Sequence, residues 1–198
     1  MRSLRIITDK EESFTNRIQA AEMLNIHLSK YKESENVIVL GIPRGGIIIA
    51  GIIAENLDAE LNIVLTCKIG APLNPELAVG AISEDGKLFL NKSITNSLEI
   101  TQDYINREKN YQLNKISQRR KLYRQILEKK SLNNKIVILT DDGVATGATM
   151  QAAIWAAISE FPKKIVLALP VAPPDTLKKL AKDADEIICL RAPENFFQ

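Results

Sequence analysis

The sequence has few of the residues that build histidine-dependent catalytic centres or disulfide frameworks. Its 198 residues include one histidine, His27, and two cysteines, Cys67 and Cys189. One histidine excludes multi-histidine metal centres and weakens any Ser-His-Asp or Cys-His assignment. The two cysteines form neither a disulfide framework nor a CxxC site, so we expect a reducing, cytoplasmic setting. The chemistry is therefore expected from carboxylates, cations, hydroxyls and backbone groups.

An excess of one charge and a long apolar run are also missing. Lys and Arg number 26 against 24 Asp and Glu, and the net charge of +2 gives no overall indication of a nucleic-acid or membrane partner. The longest apolar run, Ile47–Ala54, is far shorter than the about 20 residues of a membrane span, and we expect no targeting segment. Length and composition favour one globular domain over residues 1–198, with at most a small appendage.

Several nucleotide-binding and hydrolase motifs are missing as well. The chain has no GxxxxGK[ST] P-loop, no GxGxxG fingerprint with a following acidic residue, and no GxSxG nucleophile elbow. A P-loop enzyme, a dinucleotide-binding domain and an α/β-hydrolase are accordingly disfavoured.

Short apolar runs alternate with helical patterns along most of the chain. Apolar residues spaced by three and four predict a first helix over residues 14–31. Buried strands are predicted at 37–40, 61–68, 135–140, 164–169 and 186–190. Strands that alternate with helices predict an α/β fold, with a central parallel sheet flanked by helices.

The middle of the chain is predicted to form a flap and a long helix. Residues 69–77, IGAPLNPEL, carry two prolines and are predicted to be a loop. Two apolar runs around Glu84, Asp85 and Gly86 predict a β-hairpin, so residues 69–91 form a candidate flexible flap or hood. The segment that follows is predicted to be mostly helical, with a long basic helix over about residues 101–130.

That basic segment has two interpretations. Residues 101–135 hold ten Lys and Arg against three acidic residues, a local charge of +7 interspersed with tyrosines. One interpretation is a helix that binds nucleic acid. The other is a solvated amphipathic helix whose apolar stripe packs on the core or on a partner subunit, and we favour this one.

The most informative segment is Ile136–Met150, IVILTDDGVATGATM. Asp141 and Asp142 follow an apolar strand, and small residues then lead to Thr146-Gly147-Ala148-Thr149 at the predicted start of a helix. Small residues let backbone N–H groups converge on a phosphate, and threonine hydroxyls add donors. Two carboxylates at the end of a strand can accept hydrogen bonds from vicinal hydroxyls or lie near a divalent cation. The pattern predicts a ribose 5-phosphate site, whereas a simple helix cap explains only part of it.

These residues resemble a known family. VILTDDGVATGATM resembles the 5-phosphoribosyl 1-pyrophosphate (PRPP) motif of type I phosphoribosyltransferases, and GIPRGG at Gly41–Gly46 is similar to the family's pyrophosphate loop. CKIGAP has Lys68 where several members use a lysine to hold pyrophosphate. With PVAPP, these motifs are similar to a subgroup whose acceptor is generally unassigned. The resemblance covers residues 37–190 and implies the type I phosphoribosyltransferase-like fold.

The resemblance implies a role for each matched residue. Asp141 and Asp142 would bind the ribose hydroxyls and lie near Mg²⁺, reached through PRPP or water. The loop Ala145–Thr149 would hold the 5-phosphate, and Arg44 would meet the pyrophosphate in a loop that often has a cis non-proline peptide. The candidate catalytic residues are Arg44, Lys68, Asp141 and Asp142, and the candidate substrate-binding residues are Gly45, Gly46, Ala145, Thr146, Gly147, Ala148 and Thr149.

The implied reaction is Mg²⁺-dependent transfer of the 5-phosphoribosyl group from PRPP to a nucleobase-like or other nitrogen acceptor, with release of pyrophosphate. Ala145 stands where hypoxanthine/guanine-type members have an aspartate, which makes a 6-oxopurine acceptor less expected. A general acid or base must then come from elsewhere. Glu76, Glu84 and Asp85 are candidates, although solvated loop carboxylates are the simpler interpretation.

Alternatives remain open. A PRPP- or nucleotide-sensing regulator on the same fold could bind RNA through the basic helix, and a sugar-phosphate phosphohydrolase would use water as its acceptor. Phe196 and Phe197 either belong to an acceptor-side hood or form a frayed end. Family members are commonly dimers, so a homodimer is also considered.

Overall fold

Two β-sheets organise residues 2–8 and 13–194, the part of the chain that the computed structural model describes. Phe196 and Phe197 lie outside these residues. In chain order the elements are β1 (Ser3–Thr8), α1 (Arg17–Leu28), β2 (Val37–Gly41), α2 (Gly45–Leu57), β3 (Glu60–Ile63), β4 (Thr66–Ala71), β5 (Asn74–Ser83), β6 (Leu88–Leu90), α3 (Lys92–Ser97), α4 (Gln102–Tyr123), β7 (Ile136–Thr140), α5 (Ala148–Ile158), β8 (Lys164–Val171), α6 (Pro174–Leu180) and β9 (Glu186–Arg191).

The larger sheet is parallel and has the strand order β1-β9-β8-β7-β2-β3. This confirms the predicted α/β fold with a central parallel sheet. The sequence analysis did not predict strand β1, whose first residues are exposed at the sheet edge and form no buried apolar run. Since the strands are parallel, their carboxyl ends meet at one edge, where the loops that follow them converge.

Strand β2 shows why the sheet carries helices on both faces. All five of its residues are buried, which is typical of a parallel sheet covered on both sides. Ile38 and Leu40 pack in a cluster with residues of α5 and α6. Val37 and Val39 pack in a second cluster with residues of α1 and α2. The side chains thus alternate between two hydrophobic layers, as successive strand residues must.

The smaller sheet, β4-β5-β6, is antiparallel and corrects two predictions. The sequence predicts one strand over residues 61–68, but the chain leaves the large sheet at Ile63 and enters the small one at Thr66. The prediction of a loop over residues 69–77 is wrong, because these residues belong to strands β4 and β5 except for a turn at Pro72 and Leu73.

The prolines are compatible with these strands because they lie near the free end of the β4–β5 hairpin. The pairing is irregular on both sides of Gly70, and a Cβ at Gly70 would lie 2.6 Å from the Pro75 carbonyl oxygen. A bulged hairpin end tolerates proline, which cannot donate a backbone hydrogen bond. The second hairpin is confirmed: β5 and β6 pair around a turn in which Gly86 has φ of 78°.

The basic segment forms a helix as predicted, but the helix ends at Tyr123 rather than near residue 130. Its apolar stripe packs on the small sheet. Ile116 of α4 lies in a cluster with Ile69, Val79 and Ile82. Several cations that follow or end the helix form ion pairs with carboxylates of other segments: Arg124 with Glu84, Lys129 with Asp85 and Glu160, and Lys130 and Lys135 with Glu60. The packing of Ile116 agrees with the amphipathic-helix interpretation. Within the described ranges, no helix is both long and apolar enough to cross a membrane.

A carboxylate at the amino end of β9 joins this strand to the start of β8 and to the residues that follow α1. It lies on the side of the sheet opposite the carboxyl edge. Glu186 is 7% exposed and accepts hydrogen bonds from Lys30 Nζ at 2.5 Å, from the Tyr31 hydroxyl at 2.7 Å and from Lys164 Nζ at 2.8 Å. Burial alone would raise the pKa of Glu186, but these donors hold the pKa at about 2. The ionised carboxylate is therefore favoured in the folded state.

We expect Glu186→Gln to lower the free energy of unfolding at pH 7 by about 1–3 kcal/mol, because it removes a charged acceptor from the buried Tyr31 hydroxyl and from two lysine ammonium groups. The folded-state pKa lies below the ordinary 4.5, so the stabilisation is present above about pH 4.5 and is lost as the pH falls towards 2. Urea denaturation at pH 7 and pH 3 measures this. The exposed control Glu35→Gln should change little at either pH, and an equal loss for Glu186→Gln at both would contradict the assignment.

Candidate functional site

The carboxyl edge of β2 and β7 brings two predicted motifs together. The two strands pair in parallel with Gly41 opposite Thr140, and the Ile42 N–H donates to the Thr140 carbonyl at 3.0 Å. The GIPRGG loop therefore starts beside the acidic pair that follows β7. The Pro43–Arg44 peptide is cis, as the resemblance implies for this loop. Arg44 is exposed and directly precedes α2.

Two glycines let these motifs touch. A Cβ at Gly45 would lie 1.9 Å from Asp142 Oδ2, a distance that no side chain could occupy. A Cβ at Gly46 would lie 2.8 Å from the Thr140 carbonyl oxygen and 2.9 Å from Asp141 Cα. The predicted pyrophosphate loop and the acidic pair are thus in direct contact through backbone that carries no side chain.

The two aspartates have different surroundings. The Asp142 N–H donates to Asp141 Oδ1 at 2.9 Å. Burial raises the pKa of Asp141 to about 7; the charge of Asp142 adds to the rise, while the Asp142 N–H and the charge of Arg17 oppose it. Asp142 instead forms an ion pair with Arg17. The site therefore combines a carboxyl that is partly protonated near neutral pH with an ion-paired carboxylate.

The small-residue loop after the acidic pair forms a cradle at the start of α5. Its base is tied by hydrogen bonds from the Val144 N–H to the Val171 carbonyl at 3.0 Å and from the Thr176 hydroxyl to the Ala145 carbonyl at 2.6 Å. Gly147 has φ of 80°, so α5 begins at Ala148 rather than at Thr146 as the sequence analysis predicts. A cavity of about 180 Å³ is lined by Glu76, Asp141 and residues 143–150. The first N–H groups of a helix lack helical acceptors, which suits an anion here.

The small sheet contributes the remaining predicted cation. Lys68 lies on β4 and forms an ion pair with Glu76 of β5 at 2.8 Å. Glu76 also lines the phosphate-sized cavity, so the sheet brings Lys68 towards it. Of the three acid/base candidates, Glu84 is buried in an ion pair with Arg124, and Asp85 pairs with Lys129. The expectation of a solvated loop carboxylate is therefore wrong for Glu84.

Arg17 is a site residue that the sequence analysis missed. It is the first residue of α1, and its Nε and Nη2 donate to Asp142 Oδ2 at 2.9 Å and 2.5 Å across 125 positions of sequence. A cation in the first turn of a helix interacts unfavourably with the helix dipole. The position of Arg17 in the first turn of α1 is the sequence feature that could have identified it as a site residue.

Two glycines of α2 provide a matched test of the crowded contact. Gly45→Ala should lower the free energy of unfolding by about 1–3 kcal/mol, because the Asp142 carboxylate must move away from the new methyl group and from Arg17. Gly51→Ala, in the same helix with nothing within 4 Å of its Cβ position, should instead raise stability by about 0.5–1 kcal/mol. Thermal unfolding of both variants measures the difference. Equal stabilisation would show that the contact is not as close as described.

A family model for the phosphoribosyl transferase domain matches residues 12–198. Two curated proteins, from Mycobacterium tuberculosis strains CDC 1551 / Oshkosh and ATCC 25618 / H37Rv, are each provisionally named a phosphoribosyl transferase. Each is 36% identical to this chain over 184 residues. The match covers 93% of this chain but 41% of each relative, so the chain spans less than half the length of these proteins.

Solved structures have the same fold. The protein TT1426 from Thermus thermophilus has a TM-score of 0.88 and 37% identity, covering 94% of this chain and 88% of that protein. Purine phosphoribosyltransferase from Pyrococcus horikoshii has a TM-score of 0.50 and 17% identity, covering 99% of this chain and 97% of that one, and it supports the fold alone. The family match over nearly the whole chain confirms the resemblance, and the chain belongs to the phosphoribosyl transferase family.

Proposed function

We propose that the protein transfers the 5-phosphoribosyl group of PRPP to a nitrogen acceptor and releases pyrophosphate. The observation that carries this proposal is the contact of Gly45 and Gly46 with Asp141 and Asp142. It joins a candidate pyrophosphate loop to a candidate ribose site, beside a cradle for the 5-phosphate. PRPP carries phosphate groups at both ends of its ribose, so its site needs a pyrophosphate loop, a ribose site and a 5-phosphate cradle next to one another.

The cradle would bind the 5-phosphate. The backbone N–H groups of residues 145–149 and the hydroxyls of Thr146 and Thr149 supply donors around the cavity of about 180 Å³. Asp141, which lines this cavity, and the adjacent Asp142 would accept hydrogen bonds from the ribose hydroxyls. Anchoring the sugar at both points holds C1 in place for displacement.

Arg44 and Lys68 would bind the pyrophosphate. The bond from C1 to the pyrophosphate oxygen breaks, the electron pair leaves with the pyrophosphate, and the acceptor nitrogen forms the new bond to C1. Cations that face the departing oxygens stabilise the charge that develops there. Lys68 would then exchange its Glu76 partner for the pyrophosphate.

The residues fit a magnesium ion that is shared with the substrate. Within the described ranges, no group of three or more His, Cys, Asp or Glu side chains could enclose a metal ion. Mg²⁺ commonly keeps several waters and binds through one or two carboxylates together with substrate phosphates. Asp141 and Asp142 would hold it in that way, through PRPP or water. Bound there, Mg²⁺ would neutralise charge on the pyrophosphate.

Glu76 is the remaining general acid/base candidate at this site. It lines the cavity and its side chain is 66% exposed, although it pairs with Lys68; Glu84 and Asp85 pair with Arg124 and Lys129 and do not line the cavity. Ala145 places no carboxylate beside the proposed ribose site, which disfavours a 6-oxopurine acceptor.

Pyrophosphate release from PRPP and Mg²⁺, measured across purines, pyrimidines, ammonia and water, tests the proposal. We expect release with a nitrogen acceptor. Asp142→Asn should lower kcat/KM about tenfold to hundredfold, because it removes a charged acceptor of hydrogen bonds from the ribose. The control is Asp175→Asn, whose side chain is 84% exposed and pairs only with Lys178 in the described structure.

Three outcomes would contradict the proposal. Release with water alone would identify a phosphohydrolase. Binding of PRPP without release, combined with steeply salt-dependent RNA binding, would identify a regulator. Absence of release with any acceptor, together with equal PRPP binding by Asp142→Asn and the parent, would remove the assigned ribose site.

A further inference from the structure

The ion pair between Arg17 and Asp142 is built from several local features. Arg17 uses two nitrogens on one carboxylate oxygen, Oδ2, so the carboxylate is held in one orientation. The neighbouring Asp141 side chain also hydrogen-bonds the Asp142 side chain. An ionised carboxylate has about four acceptor positions, so Asp142 keeps acceptor capacity for a further partner.

Hydrogen bonds at the helix start hold the backbone that carries Arg17. Asn16 caps α1, and its side-chain oxygen accepts from the Gln19 N–H at 2.9 Å. The Gln19 side chain in turn accepts from the Thr15 N–H at 2.7 Å. This reciprocal arrangement resembles a capping box and fixes the first turn of the helix. Arg17 is therefore presented to Asp142 from a defined helix start.

A second contact anchors the residues before the helix. Phe14 lies over the guanidinium of Arg191, with 3.8 Å between the ring centroid and Cζ. Arg191 is 9% exposed and ends strand β9 at the same carboxyl edge of the sheet. A cation held against an aromatic face in a buried place is a favourable contact. The segment from Phe14 to Arg17 is thus fixed to the sheet on one side and to Asp142 on the other.

Arg17 has no evident stabilising reason to stand where it does. A cation at a helix amino terminus is unfavourable because it faces the positive end of the helix dipole, and the Arg17 side chain is 52% exposed. An exposed ion pair contributes little to stability. A residue placed unfavourably in a helix at a candidate site, with no gain in stability, typically has a role in that site.

We propose that Arg17 is a positioning residue that holds Asp142 by Oδ2 so that Oδ1 remains available to a ribose hydroxyl. This assignment rests on the proposed function, since it needs a ribose phosphate as ligand. Arg17 acts through Asp142 and does not itself bind the phosphate. Its effect is therefore specific to the sugar part of the ligand.

Titration calorimetry with ribose 5-phosphate and with inorganic phosphate separates the contribution of the sugar to binding from that of the phosphate. We expect Arg17→Ala to weaken ribose 5-phosphate binding about tenfold, as for the loss of a hydrogen-bonded charge, and to leave phosphate binding within about twofold. Arg17→Lys should restore part of the sugar-phosphate affinity, because it keeps the charge without the paired donors. The control Arg5→Ala, an exposed arginine of β1, should bind both ligands like the parent.

A double-mutant cycle gives the decisive readout. Asp142→Asn combined with Arg17→Ala should bind ribose 5-phosphate within about twofold of Asp142→Asn alone, because Arg17 has nothing left to position. The assignment would be overturned if the two substitutions lowered ribose 5-phosphate affinity additively, or if Arg17→Ala left that affinity unchanged. It would also be overturned if Arg17→Ala weakened ribose 5-phosphate and phosphate equally. None of these results would contradict the proposed function. A parent protein that binds phosphate but neither ribose 5-phosphate nor PRPP would overturn both.

Discussion

The site depends on how closely the backbone after β2 approaches the carboxylates after β7. Neighbouring parallel strands bring their following loops to the same edge, but only a residue without a side chain fits at Gly45, whose Cβ would collide with the Asp142 carboxylate. The same approach places the start of α2 against an anion, where a helix dipole is favourable. The proposed ribose and pyrophosphate subsites adjoin through this short contact.

Charge at the site is largely paired before any substrate binds. Asp142 is held by Arg17 and Lys68 by Glu76, while Arg44 has no ion-pair partner in the described part of the chain. Asp141 is half-buried beside Asp142. Because its pKa is raised, this carboxyl lowers the free energy of unfolding as the pH rises from about 4 towards 7. A ligand that supplies hydroxyl donors and phosphate oxygens would exchange these internal partners for its own groups. The affinity for such a ligand then depends on the difference in free energy between the protein's internal ion pairs and the contacts that replace them.

Much of this arrangement could be predicted from local sequence. The strands before GIPRGG and DDGVATGATM, the helices after them and the cradle at Gly147 follow from apolar runs and small residues. The extended hairpin at residues 69–77 could not, because its prolines favour a loop unless the bulge at Gly70 is known. Arg17 could not either, since its partner lies 125 positions away and only the tertiary fold joins them. Long-range charge pairing leaves no periodic trace in a sequence.

The buried ion pair of Arg124 with Glu84 bears on how the protein can move. Arg124 also donates to Asn62 Oδ1 at 2.7 Å and to the Ile63 carbonyl at 3.3 Å, so it ties one end of the small sheet to strand β3. Glu76 lies near the opposite, free end, beyond the bulge at Gly70. The small sheet is therefore held at Glu84, and it is also tied to α4 at Gly70, whose carbonyl accepts a hydrogen bond from the Tyr104 hydroxyl at 2.9 Å. The exposed hairpin end that carries Glu76 lies beyond both attachments, so separating Glu76 from Lys68 need not disturb the rest of the small sheet.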